Sequence, residues 1–275
     1  MLLREVEYAR PKTVEEAIGL LVEHDGARAL AGGQTLINVM KARAASPDVL
    51  VDLQDLDELA GVRDLGNGSV EIGAMTTYTQ LIGDEAAGAR SILGEVAAMI
   101  ADVQVRNRGT IGGNVCSNDP TNHLPPLLVA LDASFTIVGS DGERTVPADE
   151  FFLGVYMTAA GPGELLTKIT IPPGGQDGFA AVTIGRDGTG IVTAAASLNG
   201  GARVAIGCVD AVPLRARQME EKIGSDYSDD SVRAAAEGLG ATLDPPSDVH
   251  ASADYRRHLA EVLAVRAVVA ARERR

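Results

Sequence analysis

Two short stretches place adjacent glycines beside small polar side chains: Leu30-Ala31-Gly32-Gly33-Gln34-Thr35-Leu36-Ile37 and Gly109-Thr110-Ile111-Gly112-Gly113-Asn114. Glycine reaches backbone angles closed to other residues and lets a ligand come close to the main chain. Successive N–H groups in such turns form nests for phosphate oxygens. A helix after the first stretch would add the free N–H groups of its opening turn. Thr35 offers a hydroxyl, and Gln34 and Asn114 offer amide donors. Taken singly, a Gly-Gly turn between strand and helix is most often structural. Neither stretch has the three spaced glycines of the dinucleotide fingerprint, or the lysine of an NTPase phosphate loop. Two in one chain suit a diphosphate, which has two groups to hold. Spacing therefore suggests a dinucleotide-sized anionic ligand and does not name it.

The elements that must position these stretches read as mixed α and β. Thr13 followed by Glu16 is a capping-box signal, and Val14, Ala17, Ile18 and Leu21 then mark one helical face. Residues 28–31 read as a strand that ends in a Gly32-Gly33 turn, with a helix over 35–43 and a buried strand over 49–53. Gly66-Asn67-Gly68 and Asp141-Gly142 are hairpin signals, and Val70-Glu71-Ile72 alternates as a half-buried strand. Leu93, Val96, Ala97 and Ile100 mark another helical face, and residues 105–114 lead into a second glycine turn, Gly112-Gly113. Residues 127–131 and 135–138 read as further mixed structure. Ile169-Thr170-Ile171 closes on Pro172-Pro173-Gly174-Gly175, a natural boundary. Strand-like runs follow at 179–184, 194–198 and 204–209, then helices over 231–239 and 255–272.

Composition removes several function classes. The 275 residues carry a net charge of −14, which opposes nucleic-acid phosphate and anionic lipid. With no Trp and 3% aromatic residues, few rings are available to stack on bases. No apolar run approaches a membrane span, and Met1-Leu2-Leu3-Arg4-Glu5 does not read as an export signal. The expected location is cytoplasmic, with Cys116 and Cys208 as reduced thiols. Two cysteines cannot furnish a four-thiolate cluster, so any iron–sulfur centre belongs on another chain.

Ala31-Gly32-Gly33-Gln34-Thr35-Leu36-Ile37 and Thr110-Ile111-Gly112-Gly113-Asn114 resemble the paired FAD-binding signatures of the molybdenum hydroxylase flavoproteins, the carbon monoxide dehydrogenase and xanthine dehydrogenase family. Gly73-Ala74-Met75-Thr76-Thr77, Pro162-Gly163-Glu164-Leu165-Leu166, Tyr255-Arg256-Arg257-His258-Leu259 and Arg266-Ala267 resemble it too. The likeness runs from Tyr8-Ala9-Arg10-Pro11 to Arg266. It implies an α+β fold: a two-subdomain FAD-binding domain of PCMH type over 1–175 (subdomains about 1–57 and 58–175), then a small α+β domain over 176–275. It further implies that Ala31, Gly32, Gly33, Gln34, Thr35 and Leu36 form one diphosphate loop, with Ile37 near the flavin. Thr110, Ile111, Gly112, Gly113 and Asn114 form the other loop, and Ile100, Leu165 and Leu166 flank the ring.

Some positions depart from the family. His123 stands where many relatives have an aspartate, and could still hydrogen-bond the ribityl chain. Ile191 aligns with a flavin-side tyrosine of carbon monoxide dehydrogenases, and Thr193 with a lysine of xanthine dehydrogenases. These departures leave the substrate open between carbon monoxide, an aldehyde and an N-heterocycle. Cys116 reads as a small buried residue, and His24, His250 and His258 as surface histidines. Arg106-Asn107-Arg108 could face the diphosphate, a partner or solvent. No catalytic acid, base, nucleophile or metal-ligand set stands out. The role implied by the family is electron transfer. A large partner holds the molybdenum cofactor, a small one two [2Fe-2S] clusters, and FAD on this chain reduces a quinone, NAD or oxygen. A dimer of such heterotrimers is the implied assembly. A self-contained flavin oxidase or dehydrogenase, and a colourless nucleotide-binding module, are the alternatives.

Overall fold

Thr13 caps the first helix as its spacing with Glu16 predicts. Its Oγ1 accepts the Glu16 N–H at 3.1 Å, while Glu16 accepts the Lys12 N–H at 2.7 Å. This is seen in a computed structural model that describes residues 3–185 and 188–274; Met1 and Leu2 of the N-terminal reading lie outside them. The first unit runs β1 (Glu7–Ala9), α1 (Val14–Glu23), β2 (Arg28–Leu30), α2 (Leu36–Lys41), β3 (Val49–Asp52). Its sheet has the order β1-β3-β2, all parallel, with β3 central and buried at every position. A strand covered on both faces needs a continuous apolar run, which Val49, Leu50 and Val51 supply. Helix α2 is shorter than predicted, because Arg43 adopts φ +64° just beyond its end.

The second unit is built on an antiparallel sheet. It contains β4 (Val62–Asp64), β5 (Val70–Gly73), α3 (Tyr78–Gly83), α4 (Ile92–Met99), α5 (Val103–Arg106), α6 (Ile111–Ser117) and α7 (Leu124–Ala130). Then come β6 (Ser134–Gly139), β7 (Gly142–Pro147), α8 (Ala148–Phe151), β8 (Phe152–Gly154), β9 (Met157–Thr158) and β10 (Leu165–Ile171). The sheet order is β4-β5-β10-β6-β7, so both predicted hairpins flank a central strand that arrives last. Fully buried Leu93, Val96, Leu127, Leu128, Phe135 and Ile137 join its helices to its sheet. Gly112-Gly113 is not a turn: both lie in the first turn of α6, with Thr110 as the cap. Thr110 Oγ1 accepts the Gly113 N–H at 3.0 Å, a capping pattern concealed by the paired glycines.

The third unit is the sheet β11 (Asp177–Ile184), β12 (Thr189–Ser197), β13 (Arg203–Gly207), β14 (Leu214–Arg215), in that order and antiparallel. Helices α9 (Arg217–Ile223), α10 (Asp229–Ala236) and α11 (Ala253–Glu273) follow; α9 was not foreseen. Helix α11 packs along β11 and β12, while α7 of the second unit reaches β12 and β13. Small residues make this possible: the missing side chain of Gly178 leaves room for the Ala267 carbonyl, 2.0 Å from where its Cβ would be. Arg90 and Asp177, each 1% exposed, pair across the junction, and Arg90 also donates to the Pro172 carbonyl at 2.8 Å.

Candidate functional site

The two glycine stretches meet. A Cβ on Gly32 would lie 2.1 Å from the Arg108 carbonyl oxygen and 2.9 Å from Gly109 Cα, so no side chain fits there. The second stretch is held in place by the backbone of residues 74–78. Tyr78 N–H donates to the Gly109 carbonyl (3.1 Å), Ile111 N–H to that of Thr76 (2.9 Å) and Gly112 N–H to that of Ala74 (2.9 Å). Gly73-Ala74-Met75-Thr76-Thr77 thus acts as a strap behind the second loop.

Between the stretches opens a cavity of about 990 Å³. Ala31, Gly32, Gly33, Gln34, Thr35 and Leu36 line it, followed by Thr110, Gly112, Gly113 and Asn114. Ile100, His123, Leu165 and Leu166 complete the predicted residues found there. Ile37 and Ile111 are not on the wall. Ile37 packs with Leu30, Met40 and Leu50, and Ile111 is fully buried in the main core. Helical periodicity explains both, since each directly follows a residue that turns to the cavity.

The loops differ in what they can offer an anion. In the first, the N–H groups of Gly32, Gly33, Gln34, Thr35 and Leu36 have no hydrogen-bond partner among the described residues. Gly33 takes φ +71°, the left-handed geometry of a nest. In the second, four of the five N–H groups are engaged: Ile111 and Gly112 with the strap, Gly113 with Thr110 Oγ1, and Asn114 with the Thr110 carbonyl at 3.0 Å, which leaves only that of Thr110 without a partner among the described residues. The expectation of two amide nests is therefore corrected to one. The second loop contributes the Thr110 hydroxyl, the Asn114 side chain and the open space over Gly113.

Two buried polar atoms on the cavity wall lack partners: Asn114 Oδ1 and His123 Nε2. Asn114 is 8% exposed and its amide engages the Tyr78 hydroxyl, which burial pushes up to about 12. His123 is 3% exposed and stacks on Phe179 at 5.7 Å between ring centroids. Burial holds its pKa below the ordinary value, against the smaller opposing effect of a hydrogen bond with the Thr121 backbone. The ring is therefore neutral near pH 7. A buried polar atom without a partner costs stability unless something completes it.

The remaining wall is largely apolar. Ile100, Met75, Leu165 and Leu166 are joined by Ala101, and by Tyr156 and Met157 of the β8–β9 hairpin. Glu164 on the wall is paired with Arg144, which holds its carboxyl below the usual range. Among the described residues Arg28 is the one cation on the wall. Arg106 donates to the Ile100 and Ala101 carbonyls. Cys116 lines the cavity half-buried, not enclosed as expected, and burial pushes its thiol up to about 12. From β12 the wall takes Thr189, with Gly188 just before it, and neither Ile191 nor Thr193; both of these are buried within the third unit. His250 and His258 are exposed and His24 is half-buried. Met75, Tyr78, Ala101 and the hairpin residues were missed. Met75 and Tyr78 had a local signal, one within the strap and the other directly after it.

A nest of free amides, a glycine-cleared path and an apolar wall with orphaned polar atoms together fit a flavin dinucleotide. Residues 4–174 match the FAD binding domain in molybdopterin dehydrogenase, and residues 179–271 the CO dehydrogenase flavoprotein C-terminal domain. The chain belongs to the FAD-binding medium subunits of molybdenum hydroxylases. Within that family it is 39% identical to the carbon monoxide dehydrogenase medium chain of Afipia carboxidovorans, over 98% of this chain and 97% of that one. It is 36% identical to the glyceraldehyde dehydrogenase medium chain of Sulfolobus acidocaldarius, over 96% and 97%. The crystal structure of quinoline 2-oxidoreductase from Pseudomonas putida 86 superposes with a TM-score of 0.93 at 32% identity, covering 99% of each chain. This medium subunit is therefore the flavoprotein component of an oxidoreductase. Among its described residues no helix is long and apolar enough to cross a membrane.

Proposed function

We propose that this subunit holds FAD in the cavity and relays electrons from [2Fe-2S] clusters of a partner subunit to an external acceptor. The observation that carries this reading is the set of unpartnered amides at residues 32–36, on the wall of a cavity that Gly113 leaves open. Those amides and the first turn of α2 would hold the diphosphate, with Thr110, Asn114 and the Arg28 guanidinium completing its contacts. His123 Nε2 would meet the ribityl chain. Ile100, Leu165 and Leu166 would cover the ring and keep water from it, while Ile37 and Ile111 would support the loops from behind. Bound there, FAD supplies an exchange between single-electron and two-electron steps.

The complex would contain a large molybdopterin-binding subunit and a small [2Fe-2S] subunit, as a cytoplasmic dimer of heterotrimers. Carbon monoxide dehydrogenase is the first reading for the whole complex, supported by medium chains at 39% and 38% identity. An aldehyde hydroxylase is the second, because the glyceraldehyde dehydrogenase medium chain follows at 36%. The substrate is chosen at the molybdenum site of the partner, so the cavity described above does not distinguish them. Purification of the native complex tests all of this at once, with identification of its chains and assay of flavin, iron and molybdenum. A folded complex without flavin would defeat the cofactor reading. Substrate turnover by this chain alone would defeat the relay reading.

A further inference from the structure

We propose that Arg106 is a positioning residue for the flavin: it locks the Ile100-Ala101 turn as a rigid cavity wall and strengthens that wall as a hydrogen-bond donor. The inference rests on the FAD reading above and deepens it. Ile100 and Ala101 both line the cavity. Ala101 takes φ +44°, a left-handed conformation that an L side chain enters only at a cost. Nothing in its own side chain supports that geometry. Arg106 does, since its Nη1 donates to the Ile100 carbonyl at 2.9 Å and to the Ala101 carbonyl at 2.6 Å.

Those two carbonyls belong to the peptide groups whose N–H groups are on Ala101 and Asp102. Neither N–H has a partner among the described residues. A cation bonded to the oxygen of a peptide group polarises it and makes its N–H a stronger donor. Helix α5 keeps the guanidinium in place: Asp102 Oδ1 accepts the Val105 N–H at 2.8 Å, and the Asp102 carbonyl accepts the Arg106 N–H at 3.0 Å. The third unit rests against the same segment. A Cβ on Gly188 would lie 2.3 Å from the Met99 carbonyl oxygen. Arg106 and the third unit thus hold the turn, and Ala101, whose N–H is unpartnered among the described residues, stands on a largely apolar part of the wall. A flavin ring, apolar on its faces and polar at its edge, matches that combination.

The test compares Arg106→Leu and Arg106→Lys with wild type in the intact complex, reading FAD retention, the visible flavin spectrum and the flavin midpoint potential. Arg106→Leu is expected to weaken FAD retention by roughly tenfold, the factor that corresponds to losing the support of one strained residue. It should also lower the potential, because reduced flavin gains negative charge that a polarised donor favours. Arg106→Lys should recover most of both. Adding Ala101→Gly to Arg106→Leu should recover retention, since glycine takes φ +44° freely, but not the potential. Wild-type retention, spectrum and potential in Arg106→Leu would overturn the proposal, and recovery of the potential by Ala101→Gly would overturn its electrostatic half. If Arg106→Leu does not fold, Arg106→Gln takes its place: a lowered potential supports the proposal, and an unchanged one overturns it. A wild-type complex without flavin would remove the FAD reading itself.

Discussion

Gly112 and Gly113 are neighbours in one helical turn, yet the structure assigns them opposite tasks, and substitution should separate these. A Cβ on Gly112 would lie 2.6 Å from both Ala74 Cβ and the Ala74 carbonyl oxygen, which itself accepts the Gly112 N–H at 2.9 Å. Backbone cannot yield cheaply, so Gly112→Ala overpacks the strap at a cost of about 1–3 kcal/mol. Losing the bond to Ala74 adds about 1 kcal/mol, which the better helix propensity of alanine offsets. The net loss should lower Tm by roughly 2–10 °C. At Gly113 the nearest atom is Thr110 Oγ1 at 2.9 Å, a hydroxyl that can rotate, and the next is Ala31 Cβ at 3.6 Å, an ordinary contact. Gly113→Ala should leave Tm nearly unchanged, because a weakened cap and a gain in propensity are each about 1 kcal/mol. On the proposed seating of FAD, Gly113→Leu should send its side chain into the space between the loops and displace the diphosphate from the amides at 32–36. Losing one or two charge-assisted bonds there costs about 1.5–3 kcal/mol each, or at least about tenfold in affinity. Thermal unfolding of the apoprotein and FAD titration by flavin fluorescence read the two effects separately. Wild-type FAD affinity in Gly113→Leu, or wild-type Tm in Gly112→Ala, would refute the reasoning.

Two further outcomes follow from buried charge and a buried ring. Arg90→Leu strands Asp177 at 1% exposure and should cost about 3–5 kcal/mol, while Arg90→Leu with Asp177→Leu should cost clearly less; equal losses by denaturant unfolding would show that the pair is not coupled. Burial depresses the His123 pKa below its ordinary 6.5, so as pH falls through that value the unfolded chain takes the proton first. His123 therefore contributes no pH dependence well above 6.5, and stability falls on acidification from there toward its folded pKa. A plot of Tm against pH should flatten over that window in His123→Gln, and an unchanged slope would contradict the assignment.

The sequence exposed what depends on local pattern and concealed what depends on tertiary contact. Thr13 with Glu16, the two hairpin turns and the break at Pro172-Pro173-Gly174-Gly175 are local, and each stands where its residue types require. The paired glycines marked both loops but misled about the second. A Gly-Gly pair reads as a turn, whereas Thr110 had already started a helix there, and the N–H groups that looked free are engaged by a strap some 35 residues earlier in the chain. No local pattern could disclose that Ala74 and Thr76 would accept them. The reach of β12 was concealed for a similar reason. Which residue of a strand reaches a distant wall depends on how its end packs, and here Gly188 and Thr189 arrive while Ile191 stays in the core.

The backbone strain in the chain clarifies why so many units meet at one cavity. Among the described residues six non-glycine residues have positive φ; Ala101 and Tyr156 line the cavity, and Asn118 directly follows its lining residue Ser117. Each has its own restraint. Arg106 holds Ala101, and Asn118 Nδ2 donates to the Gly154 carbonyl at 2.6 Å. Tyr156 N–H donates to the Asn118 carbonyl at 3.2 Å while its hydroxyl reaches Asp119 Oδ2 at 3.1 Å. Strained residues persist only where their surroundings over-determine them. The α4–α5 turn, the end of α6 and the β8–β9 hairpin are thus fixed before any ligand arrives. Such a wall need not be ordered on binding, so less of the interaction with FAD is lost to organising the site. A flavoprotein subunit that must keep its cofactor through many redox cycles requires that preorganisation more than it requires a reactive side chain.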